Sequence, residues 1–210
     1  MHANALLLLL GLPLAAHAHF TLRYPTPLGT SAAKQDQAPC GGYSITESTT
    51  ISNFYVDGDS VAYSSSHPEI KLLLRVVEGN KADGAGLSWN QVFPIVEQYG
   101  AGDFCQPLVT VPQSYVGKQG ILQVVQNAVD GMLWSCAYVK FVSGTRPSLP
   151  DACRNGSDVT AALSSDAALS ALMDTTSAPT NSPSAASLHG VSILTGLVSA
   201  AVALVFNVGL

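Results

Sequence analysis

The sequence predicts an all-β domain, an antiparallel β-sandwich with long loops and two disulfides. Three observations carry that prediction. The apolar runs are short, recur at close spacing and are each bounded by Gly, Pro or Asp. No convincing amphipathic helix lies among them, so the elements must bury their faces against one another as sheets. The two strongest runs are separated by Asp130-Gly131, a dipeptide that favours the tight turn of a hairpin. The architecture this describes is immunoglobulin-like or fibronectin-like.

The elements follow in order. A first strand at residues 19–24 leads into a loop rich in turn formers, Pro25, Pro27, Gly29, Pro39, Gly41 and Gly42. Strands are expected at 60–63 and 69–77, with Asp57-Gly58 and Glu78-Gly79-Asn80 as turns between extended runs. His67-Pro68 stands at the mouth of the second of these. Further strands are expected at 92–96, 108–111, 121–125 and 132–142.

Of the 210 residues, the middle part, roughly 130, is long enough for one domain with a real core. Charged residues are only 11% of the chain, the formal charge is -5, and no basic stripe exists, which argues against nucleic acid as a partner. Cys40, Cys105, Cys136 and Cys153 are widely spaced and lack the C-x-x-C pairs of zinc sites. Behind a secretory leader they read as two disulfides. Sequence does not fix the connectivity. Cys40 with Cys136 and Cys105 with Cys153 is preferred, tying an early loop to a core strand and the end of the domain to its middle.

Both ends of the chain read as processing signals. Residues 6–14 form an apolar stretch too short to span a bilayer, and Ala16 and Ala18 fit the A-x-A cleavage pattern. Residues 1–18 are therefore expected to be a signal peptide, leaving His19 as the first mature residue. The domain is expected over 19–153. Asn155-Gly156-Ser157, the chain's only glycosylation sequon, follows it on the surface. Over 154–186 the composition shifts to Ser, Thr, Ala and Pro, with a weak helical patch at 161–173, and reads as a stalk. Residues 191–210 are almost wholly apolar and uncharged, with no basic residue after them. A membrane span would fit by length, but nothing would hold its far side. Residues 187–210 are read instead as a cleaved signal for a glycosylphosphatidylinositol (GPI) anchor, with attachment at Ser184 or, less favourably because of Pro183, at Asn181. The expected location is extracellular, on the outer leaflet of the plasma membrane or in the cell wall.

Processing changes the histidine count. Of five histidines, His2 and His17 leave with the leader, and His189 lies in the tail, so the mature domain keeps His19 and His67. An N-terminal His19 offers an α-amine and an imidazole as a ready pair of nitrogen donors, and His67 would add a third. Three nitrogens around one ion suit tetragonal Cu(II). As a residue considered alone, His67 is equally a polar residue before Pro68 at a strand start, and Asp130 equally a turn residue.

The ordered set His19-Phe20, Tyr24-Pro25, Pro39-Cys40-Gly41-Gly42, His67-Pro68, Gly102-Asp103-Phe104-Cys105 and Gln126-Asn127-Ala128-Val129-Asp130-Gly131 resembles the fungal copper acquisition factor family over about residues 19–153. Members of that family are similar to lytic polysaccharide monooxygenases in fold and copper site, but as a class lack oxidative polysaccharide cleavage. A stalk with a lipid anchor is also typical of them. The resemblance implies a histidine brace of His19 and His67, with Asp130 as the carboxylate that approaches copper where the monooxygenases place an aromatic residue. Asn127 departs from the pattern, since a histidine or other polar residue occurs there in the family.

These readings converge on a monomeric, non-catalytic protein that binds one Cu(II) per chain at the cell surface and captures or relays it, with a membrane copper transporter as a candidate recipient. A copper monooxygenase is the enzyme alternative. It would need an exposed flat face near His19 bearing aromatics such as Tyr24, Tyr43 and Tyr99. A structural wall protein with incidental histidines is the third. The secreted protein should begin at His19 and be released from membranes by a phosphatidylinositol-specific phospholipase. Mass mapping of both termini checks this, and a retained Met1 would remove the basis of the amine ligand.

Overall fold

The computed structural model describes residues 19–82 and 87–173. The expected signal peptide, the attachment signal with Ser184 and Asn181, and the stalk beyond residue 173 lie outside the described residues. Two sheets pack face to face. Strands β1 (Phe20–Tyr24), β3 (Asp59–Ser65) and β6 (Gly102–Val109) form one, in the order β1-β3-β6. The other joins β2 (Ser52–Tyr55), β4 (Glu69–Glu78), β5 (Asn90–Tyr99), β7 (Gln119–Ala128), β8 (Gly131–Val142) and β9 (Thr160–Leu163) in the order β2-β8-β7-β4-β5-β9. Every pairing is antiparallel except that of β2, which runs parallel to β8.

The predicted sandwich is what forms, and the longest apolar runs are its central strands. Leu72-Leu73-Leu74 shows why they read as unbroken rather than alternating. Successive side chains leave a strand on opposite faces, so an unbroken run needs both faces covered. Leu72 and Leu74 enter the inter-sheet core with Tyr63, Leu122 and Phe141. Leu73 points the other way, into a second cluster with Ile95, Val125, Trp134 and Leu169.

The elements that differ from expectation have local causes. β6 lies earlier than residues 108–111, because Pro107 and Leu108 form a bulge opposite Ser60: Asp59 pairs with Val109 but Val61 with Gln106. Leu108 adopts φ 57° and is 68% exposed, so its apolarity marks no core position. β2 escapes the sequence pattern, since Phe54 is its one buried residue. The segment expected to open the stalk is in large part folded. β9 extends the sheet by pairing with β5, Tyr99 opposite Thr160 and Val96 opposite Leu163. Its side chains are all exposed, so backbone hydrogen bonds hold it where hydropathy gives no signal. Helix α1 (Ala167–Ala171) follows, started by Asp166, whose side chain accepts the Leu169 N–H at 2.8 Å. The folded part therefore reaches beyond residue 153, to Met173, which packs on the cluster of Leu73 and Trp134.

The disulfides are Cys40–Cys136 and Cys105–Cys153. The first ties the long loop after β1 to β8. That loop also follows the stretch of β8 edge that β2 leaves uncovered: Pro27 bridges Ala137, the Leu28 N–H donates to the Cys136 carbonyl, and the Trp134 N–H donates to the Gln35 carbonyl.

Leu169 is fully buried. Leu169→Ala should lower stability by about 2–5 kcal/mol, as for other core truncations. Urea unfolding measures this; a change below about 0.5 kcal/mol, the range of ordinary surface substitutions, would return residues 160–173 to the stalk.

Candidate metal centre

His19, His67 and Asp130 come from three parts of the chain, and the topology brings all three to one end of the sandwich. The register of β1 against β3 sets Phe20 opposite Ser65, so the next residue outward, His19, meets Ser66. Ser66 binds it three times. The Ser66 N–H and hydroxyl both donate to the His19 carbonyl, at 2.9 and 2.8 Å, and the His19 N–H donates to the Ser66 hydroxyl at 2.8 Å. His67 is the next residue.

The free edge of β1 is held by a side chain that imitates a strand. The Phe20 N–H donates to Gln35 Oε1 at 3.0 Å and Gln35 Nε2 donates back to the Phe20 carbonyl at 2.6 Å. The Gln35 carbonyl accepts from Trp134 on β8, so this buried residue joins the edges of both sheets. Phe20 itself packs edge-on against Tyr63.

His67 sits on the crossover from β3 in one sheet to β4 in the other. Its N–H donates to the Ser65 hydroxyl at 3.3 Å, and the Pro68 carbonyl after it accepts the Gly100 N–H at 2.8 Å. The His67 side chain is 0% exposed. Asp130 lies in the two-residue loop between β7 and β8, where Ala128 pairs with Gly131 and Gly131 takes the left-handed φ of 113°. Turn chemistry accounts for its position but not for its carboxylate, which is directed at the histidine: Asp130 Oδ1 is 2.7 Å from His67 Nε2. Val129 beside it is 94% exposed.

Among the described residues no three His, Cys, Asp or Glu side chains form a metal-holding cluster. The structure makes the His67–Asp130 pair and places the His19 main chain beside it. Two of the side chains suit a divalent cation, a buried imidazole and a carboxylate 29% exposed toward solvent. His67 Nδ1, on the far side of the ring, is buried and makes no hydrogen bond. Ligand imidazoles commonly use that second nitrogen for an orienting contact. Asn127 takes no part here, because its Nδ2 donates to Asp166 at 3.0 Å on the outer face of the sheet.

The remaining motifs build the surroundings. Asp103, at the start of β6, bonds Arg154 at 2.8 Å and faces Arg23 at 3.5 Å, which holds its carboxyl below the usual range, chiefly through the Arg154 hydrogen bond. Asn155 is exposed, and its Oδ1 accepts the Cys105 N–H at 2.8 Å. Tyr24 closes the opposite end of β1, where its hydroxyl meets Asp59 and Arg146, and burial first, then Asp59, pushes its pKa well up. The Tyr43 hydroxyl accepts from Ser31 in the long loop. Tyr99, opposite Glu69, is the one of these three tyrosines at the His67 end. Ser66 and Gln35 are the positioning residues that sequence reasoning passes over. Adjacency to His67 is a signal for Ser66; nothing in the pattern marks Gln35.

A domain model described as copper acquisition factor BIM1-like matches residues 17–158. A protein of Yarrowia lipolytica (strain CLIB 122 / E 150) called lytic polysaccharide monooxygenase-like protein X325 is 32% identical over 176 residues. The match covers 80% of this chain and 65% of that relative.

Gln35→Leu would leave the buried Phe20 N–H and carbonyl unpaired, at about 1–3 kcal/mol for each lost partner. Hydrogen exchange at the Phe20 amide should accelerate while the β7–β8 amides stay protected. Unchanged protection at Phe20 would show that Gln35 does not hold β1.

Proposed function

The chain belongs to the copper acquisition factor BIM1-like family, and on that premise we propose that it is a non-catalytic cell-surface protein that captures extracellular Cu(II) or relays it to a membrane transporter. One observation carries the reading: the buried His67 imidazole faces the Asp130 carboxylate at 2.7 Å, next to the strand end that holds His19. Copper is here the cargo. His19, freed by cleavage after Ala18, supplies an amine and an imidazole, His67 supplies its Nε2, and Asp130 supplies negative charge. An anionic oxygen favours Cu(II) over Cu(I), which suits holding copper better than reacting it with oxygen.

Protons and copper compete for the same atoms. An ammonium or an imidazolium has no lone pair for the metal, so a protonated amine or ring must give up a proton before it can coordinate. Affinity therefore falls as pH falls. The monooxygenase reading draws support from the relative's name, but the aromatic side chains it would recruit are dispersed: Tyr24 and Tyr43 are engaged away from His67, and Tyr99 alone lies near it. A GPI anchor after the described residues, glycosylation at Asn155 and a monomeric state complete the proposal.

Protein beginning at His19 should take up one Cu(II) per chain, with a nitrogen-rich paramagnetic resonance spectrum. His67→Ala, or one residue added ahead of His19, should abolish most of that affinity. Asp130→Asn should keep the turn, which Asn before Gly131 also suits, yet alter the copper spectrum. With a reductant present, no oxidised oligosaccharides should appear from cellulose, chitin, xylan or β-glucan. Copper-dependent oxidised products from any of them would replace the carrier reading with the monooxygenase.

A further inference from the structure

Among the described residues, two buried side-chain nitrogens make no hydrogen bond, His67 Nδ1 and Gln126 Nε2. Both residues are fully buried, and one hydroxyl links them: Ser65 Oγ donates to Gln126 Oε1 at 3.3 Å and accepts the His67 N–H at 3.3 Å. Gln126 lies on the inner face of β7, opposite Leu72, in a row that elsewhere holds Leu122 and Val124. A carboxamide in such a row is costly, because an unmade buried hydrogen bond loses about 1–3 kcal/mol. Leucine would pack there without that loss. The polar residue is thus explained by a task, and the unpartnered nitrogen of His67 is the available one.

We infer that Gln126 is the positioning residue of His67, satisfying the Nδ1 side of the ring directly or across one buried water and thereby fixing its orientation and tautomer. The inference rests on the copper reading above and deepens it. In the tautomer whose Nε2–H points at Asp130, Nδ1 is an acceptor that needs a donor, and the Gln126 amide NH₂ is a donor with no partner of its own. With a metal ion on Nε2 the proton must reside on Nδ1, which then needs an acceptor. Turning the carboxamide over presents Oε1 to that side and returns an N–H to the Ser65 hydroxyl. An uncharged amide offers both a donor and an acceptor on one side chain. Gln126 therefore accommodates both states of the histidine, which Glu, an acceptor when ionised, and Leu cannot do.

The test uses protein starting at His19. In metal-free wild type, nitrogen-15 spectra should show His67 as a single neutral tautomer protonated on Nε2; signals averaged between the two tautomers would overturn the inference without any variant. Gln126→Met, similar in shape but without the amide, should weaken Cu(II) binding about 10–100-fold in competition titration, the usual cost of removing a contact behind a metal ligand. It should also change the copper hyperfine coupling and release the tautomer preference. Gln126→Glu, which restores an acceptor for Nδ1–H, should recover most of the affinity. A folded Gln126→Met variant with wild-type affinity and spectrum sinks this inference and leaves the copper reading standing. Wild type that binds no Cu(II) sinks both.

Discussion

The metal end of this molecule depends on how the first strand is held. β1 is five residues long and pairs with β3 on one side alone. Its other edge would expose the Phe20 main chain to an apolar surround. The Gln35 carboxamide removes that problem with a donor and an acceptor spaced like those of a neighbouring strand. Because Gln35 also binds β8, and Cys40 nearby is bridged to Cys136 on the same strand, the long loop acts as a clasp across the open side of the sandwich. His19 is ordered by consequence. Its place opposite Ser66 follows from the register that the clasp preserves.

The crossover from β3 to β4 explains why a histidine can be buried at a sheet edge. Three residues, Ser66, His67 and Pro68, carry the chain from one sheet to the other. Ser66 is spent on His19, Pro68 offers only a carbonyl, and Gly100 takes it. The His67 side chain is turned inward between the layers, with polar neighbours on each side, Asp130 toward solvent and the Ser65–Gln126 pair toward the core. At the other end of β1, Tyr24, Asp59 and Arg146 form a closed polar cluster, with the guanidinium 4.8 Å from the Tyr24 ring and 5.1 Å from that of Tyr55. That end is sealed by a charge pair. The end bearing His67 keeps a carboxylate within reach of water.

Much of this was readable from the sequence, for reasons that differ by element. β4, β7 and β8 announce themselves because both of their faces are covered and their apolar runs are long. β2 and β9 do not, because edge strands with one buried residue or none are held by backbone hydrogen bonds, which leave no trace in hydropathy. α1 was faintly visible as a helical patch, but the Ser- and Ala-rich setting concealed that Leu169 is a core residue. At the site, His67 and Asp130 stand beside Pro and Gly, so the local punctuation drew attention to them while offering a plainer explanation for each. The structure adds the contact between them. Gln35, Ser65 and Gln126 were illegible, since their importance lies in which buried atoms they meet, and a single polar residue in a run gives no hint of its partner.

The hydrogen bond from the His19 nitrogen to the Ser66 hydroxyl also bears on the order of events in biogenesis. A hydroxyl oxygen accepts from a peptide N–H and from a terminal amine alike, so cutting the bond before His19 leaves this anchor in place. Cleavage at that bond would leave the fold's anchor unchanged and alter the basicity of that one nitrogen entirely: an amide has no lone pair to give, and an amine does. On the copper reading, a folded precursor would lack the amine donor until the bond before His19 is cut.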